Sequence, residues 1–255
     1  MKKVKQSMAW WCFVPRALTA ERFVSVVAEA GYDAIELAPK DEWQRIREHG
    51  LSIATGNGHA SIESGLNRRE NHDRIVDEVR RNLDDAVTYG VANLICFSGN
   101  RDGLSDDDGA AVTAEGLHRI APYAEQAGVT LILELLNSRV DHRDYQCDRT
   151  EWGAKVVMQV GSARVKLLYD IYHMQIMEGD IIRSIEAHHE LIGHFHTAGN
   201  PGRHEIDGEQ EINYPPIFRC IAATGYTGYI GHEFVPTGDA TTAIRKTVQM
   251  CGDCL

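Results

Sequence analysis

The chain of 255 residues has no apolar run of the ~20 residues that a membrane span requires. Its opening stretch, MKKVKQSMAWWCF, carries basic residues but no apolar core of useful length, so no secretory leader is expected. Positive charge is in the minority, with 26 Lys and Arg against 37 Asp and Glu and a net charge of −11. That balance argues against the basic stripe of a nucleic-acid-binding surface. It leaves room for a small anionic substrate, because one local arginine can overrule the global field. Cysteine is sparse: the six stand scattered at 12, 96, 147, 220, 251 and 254. They read as reduced thiols of a cytoplasmic protein rather than a disulfide framework. The terminal Cys251-Gly-Asp-Cys254 has redox spacing, but no strand precedes it and no redox role is expected. Also missing are internal repeats, low-complexity tracts and linkers, so residues 1–255 are expected to form one domain.

What is present is alternation. Strand-like runs lie at 5–13 (KQSMAWWCF), 33–38 (DAIELA), 51–56 (LSIATG), 93–99 (NLICFSG), 130–137 (TLILELLN), 165–172 (VKLLYDIY), 192–199 (IGHFHTAG) and 229–235 (YIGHEFV). Amphipathic helical patterns separate them. TAERFVSVVAEAG opens on the capping residue Thr19 and closes at Gly31. NHDRIVDEVRRNLDDAVTYG sets Ile75, Val79, Leu83 and Ala86 on one face. SDDDGAAVTAEG begins with acids, which suit a helix N-terminus. Eight β-then-α units in this length predict the α/β class and a single-domain (β/α)8 TIM barrel. An open doubly wound sheet would carry a glycine-rich phosphate turn after its first strand. Here FVPRALT follows instead, and GNGH at 56–59 is too short to count.

In such a barrel the chemistry sits where strands end. The last four strands offer Glu134, Asp170, His196 and Glu233, one residue each. Side-chain alternation lets Ile132, Glu134 and Leu136 share one face, and His194 and His196 likewise share a face, with Phe195 pointing the other way. His232 and Glu233 cannot both point inward, and Glu233 is the choice. Buried carboxylates are costly alone but not when they bind a divalent cation. Three carboxylates and an imidazole suit one Mn²⁺ or Mg²⁺, with Co²⁺ or Zn²⁺ also acceptable. His59 closes the third strand candidate and is a candidate substrate contact. His142 and His204 lie in loops after strands five and seven, with contact to substrate left open. His72, His118, His188 and His189 read as solvated helix residues. Of the adjacent Trp10 and Trp11, one is expected to face the interior and the other to pack beneath helices.

The stretches YDIYHMQIMEGD (169–180), GHFHTAGNPGRHEID (193–207), EINYPPIF (211–218) and GYTGYIGHEF (225–234) resemble the hydroxypyruvate isomerase family, with support from GHASIESGLN (58–67). This family belongs to the xylose-isomerase-like barrel superfamily, which also includes ketose 3-epimerases. The resemblance spans essentially the whole chain. It implies that Glu134, Asp170, His196 and Glu233 are the metal ligands. It also implies that Glu134 and Glu233 double as proton donor and acceptor, and that His173 and Arg203 contact substrate. Chemistry points the same way: isomerisation moves a proton between adjacent carbons through an enediol, which two carboxylates can serve. Arg203 can grip a substrate carboxylate in two prongs. Some hydroxypyruvate isomerases have glutamine at the third ligand position, and histidine, as here, is the epimerase pattern. The expected activity is therefore a metal-dependent aldose–ketose isomerase, with hydroxypyruvate to tartronate semialdehyde leading. A ketose 3-epimerase or 2-oxo-sugar-acid isomerase is the first alternative. An endonuclease-IV-like hydrolase, which would need more histidines and a basic face, is the distant one, and a non-enzymatic binding protein is the last. The expected partner is a small keto acid or sugar, without nucleic acid or membrane, and self-association is left open.

Overall fold

The computed structural model describes residues 4–255. Nine strands run β1 (Lys5–Ala9), β2 (Ala34–Glu36), β3 (Ser52–Ile53), β4 (Thr55–Asn57), β5 (Asn93–Cys96), β6 (Thr130–Glu134), β7 (Val165–Asp170), β8 (Ile192–Thr197) and β9 (Tyr229–His232). The helices are α1 (Ala20–Ala30), α2 (Trp43–Glu48), α3 (Arg69–Tyr89), α4 (Asp106–Ala127), α5 (Thr150–Val160), α6 (Ile171–Met177), α7 (Ile181–His188), α8 (Tyr214–Ala223) and α9 (Ala240–Gly252). The hydrogen-bonded strand order is β3-β2-β1-β9-β8-β7-β6-β5-β4. Eight expected strands become nine because the segment at 51–56 breaks at Ala54 into β3 and β4, the two ends of that order. No helix among the described residues is long and apolar enough to cross a membrane. All six cysteines are free thiols.

The described chain groups into two compact units. The first holds residues 4–54, 180–189 and 195–255. Here β1 pairs in parallel with β2 and β9, aligning Ser7 with Ala34 and with Gly231. Gly231 in turn aligns with His196. Paired residues of parallel strands share a face, so Ser7, Gly231 and His196 form one row, with Glu36 two residues along from Ala34 on the same face. The opposite face is covered by helices. On α1, capped by the Thr19 side chain, Phe23, Val24, Val26 and Val27 are buried. Beyond the end of β1 the chain turns, so Trp10 and Trp11 are not strand residues. Trp10 meets Phe23 edge-on at 5.5 Å, as the packing member of the pair.

The second unit holds residues 55–179 and 190–194. In it β4, β5, β6 and β7 pair successively in parallel. On α3 the predicted stripe Ile75, Val79, Leu83 and Ala86 is buried. His72 joins that stripe, contrary to the solvated reading: it is 1% exposed and bonds the Leu66 carbonyl at 2.8 Å. The reason is close helix packing at Gly116 of α4, where an added Cβ would stand 2.8 Å from His72 Nε2. The predicted strand at 165–172 is shorter than expected, because Asp170 ends β7 and at once caps α6.

Candidate metal-binding active site

In the first unit, Glu233 is the residue that follows β9, and its N–H donates to the Thr197 carbonyl at 2.9 Å. Its carboxylate is held from three sides. Trp11 donates its indole N–H to Oε1 at 2.7 Å. Arg203 donates an Nη2–H to Oε2, and its Nε–H reaches the Glu233 carbonyl at 3.3 Å. His196 Nδ1 stands 3.0 Å from Oε2. The Arg203 guanidinium also lies over the Trp11 ring, 5.3 Å from its centre. Burial alone would raise the proton affinity of Glu233. The nearby Arg203, His196 and Trp11 outweigh it and bring the pKa down to about 2. Glu233 is thus ionised at neutral pH. Trp11 is the inward member of the tryptophan pair, with a polar task that its position alone did not reveal.

His196 is fully buried, and its second nitrogen, Nε2, lies 3.3 Å from Oε2 of the equally buried Glu36. Ser7 donates its hydroxyl to Glu36 Oε1 at 3.1 Å. Gly231 makes room for this carboxylate, since a Cβ there would stand 1.8 Å from Glu36 Oε1. Carboxylates thus flank both ring nitrogens of His196, Glu36 at Nε2 and Glu233 at Nδ1, and a carboxylate beside the outer nitrogen is the partner that orients ligating histidines. Sequence reading passed over Glu36, whose partner is 160 residues away. The neighbouring His232 points the other way. It bonds Thr197 Oγ1 at 2.7 Å and Gln6 Oε1 at 3.1 Å, and burial drives its pKa to about 3. Within this unit the two neighbours therefore face different partners, Glu233 toward Trp11 and Arg203 and His232 toward Thr197 and Gln6. His204 is exposed and bonds the Val235 carbonyl at 3.0 Å.

In the second unit, Glu134 is the last residue of β6 and Asp170 the last of β7, 6% and 1% exposed. Asp170 Oδ1 accepts the His173 N–H at 3.0 Å, and His173 Nε2 lies 3.7 Å from Oδ2. His142 sits with its ring 5.4 Å from that of His173. His59 follows β4, is 1% exposed, and accepts the Phe97 N–H on Nε2 at 2.9 Å. Burial, the largest influence, lowers its pKa to about 4. Its buried Nδ1 has no hydrogen-bond partner among the described residues. His59 is therefore a neutral imidazole with its proton on Nδ1. Of these, Glu134 and Asp170 are among the buried side chains that could ligate a metal ion.

Comparison with known proteins places these residues in context. The model of the xylose isomerase-like TIM barrel family matches residues 24–254. The hydroxypyruvate isomerase of Escherichia coli K12 is 30% identical over 174 residues, 66% of this chain and 67% of that protein. The 2-oxo-tetronate isomerase of Cupriavidus necator is 36% identical over 143 residues, about half of either chain at 55% and 54%. A crystal structure described as an AP endonuclease of family 2 from Brucella melitensis superposes with a TM-score of 0.83 at 26% identity, covering 96% of this chain and 99% of that one. With parallel strands, intervening helices and a family match across nearly its whole length, the chain belongs to the xylose isomerase-like TIM barrel family.

Proposed function

We propose that the chain, acting as one domain, is a metal-dependent isomerase of small 2-oxo acids or sugar acids. Hydroxypyruvate to tartronate semialdehyde is its leading reaction, and Glu134, Asp170, His196 and Glu233 are the metal ligands. The observation that carries this reading is the burial of these four side chains at the ends of β6, β7, β8 and β9, neighbours in strand order. Each is a buried side chain able to ligate an ion, Glu134 and Asp170 in the second unit and His196 and Glu233 in the first. The donor set fits such an ion: carboxylate oxygens suit Mn²⁺ or Mg²⁺, and a cation offsets the cost of burying three acids. Kinship with isomerases of E. coli and C. necator supports the reaction class.

When bound, a divalent ion supplies Lewis acidity to adjacent substrate oxygens and lowers the barrier to enolisation. The chain's own residues handle the proton. Glu134 and Glu233 remove it from one carbon and return it to the next through an enediol. Glu233 enters ionised, held so by Arg203 and Trp11. Arg203 is already on Glu233, and in this reading its guanidinium serves a substrate carboxylate next to that base. His173 and His59 are the further substrate contacts. A 2-oxo-tetronate substrate is the second reading, favoured by the C. necator relative. A DNA hydrolase is disfavoured by the net charge of −11.

The test is a substrate panel of hydroxypyruvate, tartronate semialdehyde, 2-oxotetronate and free ketoses with Mn²⁺-loaded protein. Turnover of at least one 2-oxo acid, abolished by chelation and restored by the metal, is expected. Activity indifferent to exhaustive chelation, or confined to neutral ketoses, would overturn the proposal.

A further inference from the structure

The loop after β6 contains a hydrogen-bond network that no metal or proton-transfer role requires. Asn137 and His173 are both fully buried. Asn137 offers two donors to one atom, His173 Nδ1: its backbone N–H at 3.2 Å and its side-chain amide at 2.6 Å. The orientation of that amide is itself fixed. Its oxygen accepts the N–H groups of Val140 at 2.9 Å and Asp141 at 3.0 Å, so the nitrogen must face the other way. There it also donates to Asp141 Oδ2 at 2.6 Å, an oxygen that Tyr172 holds through its hydroxyl at 2.9 Å. Flipping the amide would set an oxygen against a carboxylate and an NH₂ group against two N–H donors.

Two donors aimed at Nδ1 leave it no room for a proton. A neutral imidazole has one N–H, and with Nδ1 as acceptor it must sit on Nε2. We propose that Asn137 is a positioning residue that locks His173 in the neutral Nε2–H tautomer, making it an obligate donor to an oxygen acceptor of the substrate. This rests on the isomerase reading for the substrate, but the tautomer itself follows from the network alone. The chemistry it selects is a carbonyl, hydroxyl or carboxylate oxygen at that position; a ligand presenting an N–H or ammonium there is refused.

The experiment is ¹⁵N–¹H NMR of the imidazole nitrogens in the full chain labelled at histidine, with the His173 signals assigned by their loss in His173→Gln. Wild-type protein should show a protonated Nε2 and a bare, hydrogen-bonded Nδ1. Asn137→Asp keeps the oxygen that accepts from Val140 and Asp141 but replaces the amide donor with an acceptor. Only the longer backbone donor at 3.2 Å then remains, set against a carboxylate, so the protonated fraction of Nδ1 should rise, and turnover should fall about 10- to 100-fold, the usual loss when an outer partner of a working histidine is changed. A structural role alone would leave the nitrogen shifts in place. Wild-type protein with the proton on Nδ1 would overturn the proposal, and so would shifts unchanged in Asn137→Asp. Should the variant not fold, the wild-type spectrum still decides. A wild-type protein with the stated tautomer but no activity on any 2-oxo acid would refute the isomerase reading and leave the Asn137 lock standing.

Discussion

Gly231→Ala should be among the most damaging single-methyl additions in the first unit. The added carbon would stand 1.8 Å from Glu36 Oε1 and 2.9 Å from His196 Cδ2. Ordinary carbon–oxygen contact begins near 3.4 Å, so the carboxylate must retreat by about 1.6 Å to reach a normal separation. Such a shift breaks the 3.3 Å approach to His196 and the 3.1 Å bond from Ser7. Overpacking costs about 1–3 kcal/mol, and the lost charged hydrogen bonds bring the total to about 2–4 kcal/mol. For a chain of this size that corresponds to a drop in Tm of roughly 5–15 °C. Freed from Glu36, the His196 ring also loses its orienting partner, and affinity for Mn²⁺ should weaken about 10- to 100-fold. Thermal melts and metal isotherms would be recorded in a double-mutant cycle with Glu36→Ala. Removing the carboxylate should abolish most of the glycine penalty. An equal penalty in both backgrounds would refute the reasoning, as would a wild-type Tm in Gly231→Ala alone.

Three further outcomes follow from the site. His232 and His59 are held neutral in the fold, with pKa values near 3 and 4, and regain ordinary values near 6.5 on unfolding. Their stabilisation is complete above about pH 6.5 and is lost as pH falls through that window, by about 1.4 kcal/mol per pH unit for each. Urea midpoints at pH 7, 6 and 5 should fall accordingly, and His232→Gln should flatten the slope; an unchanged slope would contradict the assignment. Arg203→Ala should lose about 10- to 100-fold more turnover on hydroxypyruvate than on a neutral ketose, the value of a charged hydrogen bond. Equal losses would confine Arg203 to its contact with Glu233. Glu134→Gln and Glu233→Gln should each lower kcat by at least about 10²-fold with metal content largely kept, and full activity in the metal-loaded variants would remove the acid–base roles.

Local pattern made most of the scaffold legible, because strand and helix periods and capping residues are properties of neighbouring residues. Thr19 and Ser105 cap α1 and α4 through their side chains, and Gly31 and Gly128 close them in the left-handed conformation. The candidate ligands were legible for a related reason: a charge at the end of an apolar strand stands out. What escaped was decided by tertiary partners. Glu36 looks like an ordinary strand end until His196 arrives beside it. His72 reads as a solvated helix residue unless the close approach at Gly116 is known. Trp11 declares a polar role only through Glu233, and Asn137 only through the Nδ1 of His173. The break at Ala54 and the short helices α2 and α6 were missed because segments of two to seven residues carry too little periodicity.

The break at Ala54 also bears on how the chain avoids templating its own aggregation. A parallel sheet ordinarily ends in strands whose unpaired N–H and C=O groups invite another chain to add on. Here both ends of the strand order fall on one short stretch: β3 has two residues and β4 three. Ile53, Thr55 and Gly56 are buried, leaving Ser52 and Asn57 as the exposed members of those strands. Asn57 lends its carbonyl to the Asn82 side chain of α3, which occupies part of what remains. A second polypeptide would find only two or three residues to pair with at either end, so strand addition to the native chain is disfavoured.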